Sequence, residues 1–136
     1  MPNLICDIVT PEVTLASEEA YMVIVPGSEG EMGFLSGHEP LVAVLFEGTV
    51  RVHKEKDGEA IGYVVQGGYV EVTGQKVIVL ADRACSVSEI DKEDVTQKLY
   101  ELESRISQML ADDSGRYSYA TDLAWYKAQI HAIETK

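Results

Sequence analysis

The sequence predicts a β + α fold: an N-terminal antiparallel β-sandwich, or flattened barrel, in residues 1–87, followed by a C-terminal antiparallel two-helix hairpin in residues 88–136. Three observations predict it. Short apolar runs recur through the first part of the chain with turn signals roughly every eight to twelve residues, the rhythm of a sandwich. Near Ser88 the apolar period changes from about two residues to about 3.6. The chain beyond carries two apolar stripes of the same spacing separated by a short polar run, the pattern of two helices folded back on each other.

In the first part, Leu4, Cys6 and Ile8 alternate with Ile5, Asp7 and Val9, so the opening strand has one apolar face and one largely apolar face. Thr10-Pro11-Glu12 reads as a turn. Tyr21 to Val25 is the next strand-like run. Leu41 to Phe46 and Thr49 to His53 follow, separated by Glu47-Gly48, and in the second of these Val50 and Val52 point opposite to Arg51 and His53. Asp57-Gly58 signals a tight hairpin, with Ile61 to Gln66 as the return strand. Gly67-Gly68 breaks that strand, after which Tyr69 to Thr73 and Lys76 to Leu80 flank Gly74-Gln75 as a second hairpin.

In the second part, Asp91, Glu93 and Asp94 gather where a helix begins, at the positive end of its dipole, with Ser88 or Asp91 as N-cap. Val95, Leu99, Leu102, Ile106 and Met109 form one stripe. Asp112-Asp113-Ser114-Gly115 stops the helix. Tyr119, Leu123, Tyr126, Ile130 and Ile133 form the second stripe, and Ala120, Ala124, Ala128 and Ala132 line a small-residue face of the last helix. So few apolar side chains leave a lone hairpin marginal against the entropy of ordering its backbone, so it needs a docking surface. It is either packed permanently on the sandwich or movable.

Composition narrows the function. A net charge of −12, from 23 acidic and 11 basic residues, disfavours nucleic acid as a partner. Cys6 and Cys85 lie far apart without metal spacing, which fits reduced, buried thiols. No basic segment followed by an apolar run opens the chain, and no apolar run is long enough to span a membrane. His38, His53 and His131 fall in separate elements without metal-ligand spacing. No catalytic triad is suggested, no cofactor is expected, and Trp125 and Tyr126 read as packing residues.

The stretch from Met22 to Leu41 is the organising one. Glycines at 27, 30, 33 and 37 bend it repeatedly, Pro26 and Pro40 end the flanking strands, and Glu29 and Glu31 stand out on a short ordered loop. The loop is not a phosphate cradle, because no Gly-Lys-Ser/Thr follows and both glutamates would face the anion. It is either a contact surface or a solvated loop.

VIVPGSEGEMGFLSGHEPL, then VQGGYVEV, then VIVLADRACSVSEID, in this order and at these separations, closely resembles the epsilon subunit of bacterial F-type ATP synthases; RYSYATDLAWYKAQIHAIE is similar to that family's second C-terminal helix. The resemblance implies a rotor part without chemistry of its own. Such a part joins the gamma subunit to the c-ring at the cytoplasmic face of the bacterial plasma membrane, as a peripheral component, and takes part in proton-driven ATP synthesis. It also implies that Glu29, Gly30, Glu31, Met32 and His38 lie on the c-ring side. The hairpin would lie against the sandwich or extend into the alpha/beta catalytic head to inhibit hydrolysis, with Arg105, Arg116, Lys127 and His131 as contacts there. This chain departs from the family in three ways. Ser36 stands where proline usually precedes Gly37. In Ile90-Asp91-Lys92-Glu93-Asp94-Val95, Asp94 replaces the arginine of the ATP-binding motif of some members, so nucleotide binding in the Asp91 and Asp94 region is expected to be weak or absent. The last helices hold fewer basic residues than those of inhibitory relatives. The competing reading is an acidic β-sandwich adaptor that binds an unrelated partner through its hairpin.

Overall fold

We describe residues 3–109 and 115–135 of a computed structural model of the chain, with backbone alone for Arg116 and Tyr117. The chain divides into two compact units, residues 1–88 and 89–136.

The first unit holds eight strands: β1 (Leu4–Val9), β2 (Thr14–Ala20), β3 (Met22–Gly27), β4 (Gly30–Leu35), β5 (Leu41–Val44), β6 (Gly48–His53), β7 (Ala60–Thr73) and β8 (Lys76–Ser86). They hydrogen-bond in the order β2-β1-β8-β7-β6-β3-β4, with β5 branching onto β7. The branch gives the sandwich its two layers. β7 pairs with β6 along its first half, Ala60 to Val65, and with β5 along its second, Tyr69 to Val72. Between the halves Gly67 and Gly68 take φ of 69° and 106°, a conformation that L side chains rarely adopt. A Cβ on Gly68 would overlap the Leu80 carbonyl oxygen. The glycines expected to end a strand therefore bend one continuous strand, as happens where a strand passes from one packed sheet to the other.

The core fills the space between the layers. Leu4, Ile8, Val23, Val25, Phe34, Val50, Val52, Val70 and Val77 are almost wholly excluded from solvent. β1 follows its predicted alternation, with Leu4, Cys6 and Ile8 inward. It pairs antiparallel with β2 and parallel with β8. The alternation in β6 also holds, Val50 and Val52 being buried and Arg51 and His53 half-buried.

Three local expectations change. The stretch after Val25 is not a glycine-bent loop up to Leu41 but the turn and second strand of a β-hairpin, followed by a turn, because Gly27 pairs with Gly30 across a two-residue turn of Ser28 and Glu29. Pro26 does not end β3 but lies within it, opposite Glu31. Its carbonyl accepts from the Phe46 amide at 2.8 Å, and a strand residue's amide and carbonyl point the same way, so its missing N–H is not one that β4 needs. The connection carrying Asp57-Gly58 runs from Lys54 to Glu59, with a tight turn from Glu55 to Gly58, rather than being a two-residue hairpin turn.

The second unit contains α1 (Lys92–Ser107) and α2 (Gly115–Glu134), which pack on each other; a 3-10 turn, Val87–Glu89, precedes them. Asp91 is the N-cap, its Oδ1 accepting from the amides of Glu93 and Asp94 at 3.1 and 3.2 Å. The predicted α1 stripe is the buried side of that helix: Val95 and Leu102 are buried, and Leu99, Ile106 and Met109 are half-buried. α1 ends with Gln108 as its C-cap. Asp112, Asp113 and Ser114 lie outside the described residues, and Gly115 opens α2. Along α2 the stripe from Tyr119 to Ile133 is half-buried, while Gln129 and Ala132 are the buried positions.

Candidate docking site

The β3–β4 hairpin presents its turn to solvent. Neither Ser28 nor Glu29 has positive φ; Gly30 takes it instead, at 126°. Ser28, Glu29, Gly30 and Glu31 are all exposed. Met32 is half-buried and packs against the core, and a Cβ on Gly27 would meet its Cε at 2.7 Å, so this side chain anchors the turn from below. On the β5 side the turn is held by backbone. The Ser28 amide donates to the Val44 carbonyl at 3.2 Å, and Gly27 bridges to Leu45.

The two glutamates differ in their partners. Glu31 Oε2 accepts from Arg51 Nη2 at 2.7 Å, an ion pair that crosses β3. Glu29 has no ion pair among the described residues. His38 lies past the far end of β4. Its ring meets Phe34 edge-on with centroids 5.0 Å apart, and its Nδ1 lies 2.7 Å from the Glu39 carbonyl, which requires the proton to be on Nδ1. Register places Leu35 opposite Met22 and Gly30 opposite Gly27, so Glu29 and His38 sit at opposite ends of the hairpin. Glu29, Gly30, Glu31 and Met32 come together; His38 does not join them.

A second surface was not legible in the sequence. Val44 pairs with Tyr69, Tyr69 with Leu80 and Leu80 with Val9, so these four form one row on the outer face of the sheet. Val44, Tyr69 and Leu80 are 48%, 54% and 42% exposed, and Val42 and Phe46 continue the patch at 67% and 57%. Contiguous exposed apolar surface of this kind marks a contact with another molecule. Apart from Phe46, which follows β5, each residue belongs to an ordinary strand, and only the cross-strand register brings the three strands' side chains into one row.

The remaining candidates lie on the helices. The Asp91 carboxylate is committed to its cap, and Asp94 Oδ2 pairs with Lys98 Nζ at 3.0 Å. Arg105, Lys127 and His131 are exposed, the last two one turn apart on α2. The side chain of Arg116 lies outside the described residues. Among the described residues no cluster of His, Cys, Asp or Glu could hold a metal ion. Burial, with the nearby charges of Asp7 and Glu18, pushes the Cys6 thiol up to about 12, so it stays protonated and unreactive.

A rigid β body with a charged turn and an exposed apolar row, followed by a separate helical pair, defines a docking subunit of a larger assembly. The profile of the family described as "ATP synthase, Delta/Epsilon chain, beta-sandwich domain" matches residues 3–87. The chain belongs to the ATP synthase epsilon-chain family and is a non-catalytic subunit of that complex. It is 40% identical over 137 residues to ATP synthase epsilon chain 2 of Ralstonia nicotianae, an alignment covering 98% of this chain and 95% of that one. It is also 40% identical over 128 residues to the ATP synthase epsilon chain of Brucella anthropi, covering 94% and 90%. Its structure resembles a chain of the Euglena gracilis mitochondrial ATP synthase, in a structure that includes the c-ring, with a TM-score of 0.78, 25% identity, and coverage of 98% of this chain and 82% of that chain. A chain from the central stalk and c-ring of the Tetrahymena thermophila enzyme shares the fold at a TM-score of 0.55 and 13% identity, covering 96% of each.

Proposed function

We propose that this chain is the rotor subunit of a bacterial proton-translocating ATP synthase, linking the gamma subunit to the c-ring at the cytoplasmic face of the plasma membrane. The observation that carries the reading is the pair of surfaces on one rigid body. The apolar row through Val44, Tyr69 and Leu80 suits a permanent protein contact, whose centre is depleted of charge. The turn with Glu29, Gly30 and Glu31 suits a polar contact with basic groups on the loops of the ring. Torque has to pass from one contact to the other without loss, and a closely packed β core deforms little.

The helical pair is the regulatory part. Arg105 and Lys127 offer positive charge to an acidic catalytic head and His131 stands one turn from Lys127, but the carboxylates on the same unit outnumber its basic groups, so inhibition of hydrolysis is weak. Nucleotide binding at the start of α1 is weak or absent, because Asp94 stands where some family members carry the arginine of their ATP-binding motif.

The test is purification of the tagged chain with its native complex. Wild type should bring down gamma and c subunits. Tyr69→Asp, which places a charge in the middle of the apolar row, should lose gamma at least ten-fold while its circular dichroism and melting temperature stay unchanged. Recovery of an unrelated partner, with neither gamma nor c present, would establish the adaptor reading instead.

A further inference from the structure

We propose that Gly62 is the socket for Val87, and that this contact is a positioning device: it fixes where the tether of the helical pair leaves the β body and so restrains the pair that regulates hydrolysis. The regulatory half of the proposal rests on the rotor reading above; the seating of Val87 does not.

Strand pairing alone gives no reason for a glycine at position 62. The residue lies inside β7, opposite Arg51 of β6, where a glycine gives up packing and costs ordering entropy. Backbone conformation does not call for it, since Gly62 has no positive φ, unlike Gly67 and Gly68 of the same strand. What calls for it is room. A Cβ on Gly62 would come within 2.9 Å of Val87 Cγ2 and 3.4 Å of Thr49 Cγ2. Tyr63 pairs with Ser86 at the last rung of the β7–β8 ladder, so Val87 falls opposite Gly62 and lays a methyl group where the missing side chain would stand.

The seat lies where the chain leaves the body. Val87 is the first residue after β8 and opens the 3-10 turn that ends at Glu89. The hydroxyls of Ser86 and Ser88, one on either side of it, are hydrogen-bonded at 2.9 Å. Beyond the turn, Asp91 is fixed as the N-cap of α1. Only Ser88, Glu89 and Ile90 lie between the two fixed points. Val87 is half-buried, and its β-branched side chain has few rotamers to move to, so it cannot leave the socket without moving the turn. A tether so short transmits direction as well as connection, and unseating Val87 frees both its turn and its starting point.

The experiment reads two quantities. Cleavage of the complete chain after Glu89 by a glutamate-specific protease, followed by the masses of the products, reports how often the tether opens. Hydrolysis by the enzyme assembled with each chain reports regulation. Gly62→Ala crowds the seat and Val87→Ala empties it; each should speed cleavage after Glu89 about five-fold while sheet circular dichroism and cleavage within the β body stay unchanged. The double variant sets the two Cβ atoms 3.5 Å apart, an ordinary contact, and should return cleavage towards the wild-type rate. Both single variants should lower hydrolysis about two-fold, because a freer pair reaches the catalytic head more often, and the double variant should restore it. Should Gly62→Ala fail to fold, Val87→Ala, which only removes atoms, carries the test. Single variants cleaved at the wild-type rate, or a double variant cleaved faster than either, would overturn the seat. Faster cleavage with hydrolysis unchanged in every variant would overturn the regulatory half. An enzyme that does not take up the wild-type chain would overturn the rotor reading and the regulatory half with it, and cleavage alone would still decide the seat.

Discussion

Asp7 shows how much a single side chain on the outer face contributes. The Ser17 hydroxyl donates to its Oδ1 at 2.7 Å and Lys76 Nζ lies 3.1 Å from its Oδ2, and these partners, Ser17 foremost, hold the carboxyl below its ordinary value. A carboxyl whose pKa is depressed in the folded chain stabilises that chain above its unfolded pKa, and the benefit is lost as pH falls through the folded value. Asp7→Asn should therefore cost about 1 kcal/mol at pH 7, and the deficit should be smaller at about pH 3, below the ordinary carboxylate value. Urea unfolding of both chains at the two pH values measures it. The same scale shows where sequence reading stops. Asp91 as N-cap is one of two choices that the sequence leaves open, because a cap depends on residues three apart. The Glu31 to Arg51 pair is not legible, because it spans twenty positions and depends on the register of three strands.

Strands and helices were not equally readable. The α1 stripe follows from spacing alone, since a helix is a local structure and its buried side repeats every three or four residues. β2 left no comparable signal: Thr14 to Ala20 reads TLASEEA, with serine, alanine and two glutamates that have little intrinsic preference for a strand. Pairing with β1 makes it one. The second half of β8, from Ala81 to Ser86, is likewise drawn into the sheet by β7. β7 shows the opposite case, in which a local break does not end the element. Gly67 and Gly68 do break the extended conformation, but they turn the strand through the corner without ending it. Gly68→Ala should destabilise the protein by about 2 to 4 kcal/mol, because a left-handed backbone and an overlap with the Leu80 carbonyl occur together where no flexible side chain can yield. Thermal unfolding measures the loss. Gly74→Ala is the control, since a Cβ there would meet nothing within 4 Å.

For the whole molecule, two units of unequal self-sufficiency follow from where the buried residues lie. The main apolar cluster draws every fully buried member from between Leu4 and Ala81. Among the described residues of the helical pair the buried positions are Val95, Leu102, Gln129 and Ala132, too few to hold two helices in water unaided. Residues 1–88 produced alone should unfold in one cooperative urea transition with their sheet circular dichroism intact. Residues 89–136 alone should lose most of their helicity. A fragment 1–88 that melts without cooperativity would contradict this division. The parallel contact of β1 with β8 carries a further consequence. The opening strand, whose Leu4, Cys6 and Ile8 lie at the heart of the body, finds its neighbour about seventy residues later. While the chain is leaving the ribosome, that strand can pair only with β2 and must wait, one edge bare, until nearly the entire body has been synthesised. A contact of such long range slows folding and leaves the nascent chain exposed to misassociation until β8 has been made.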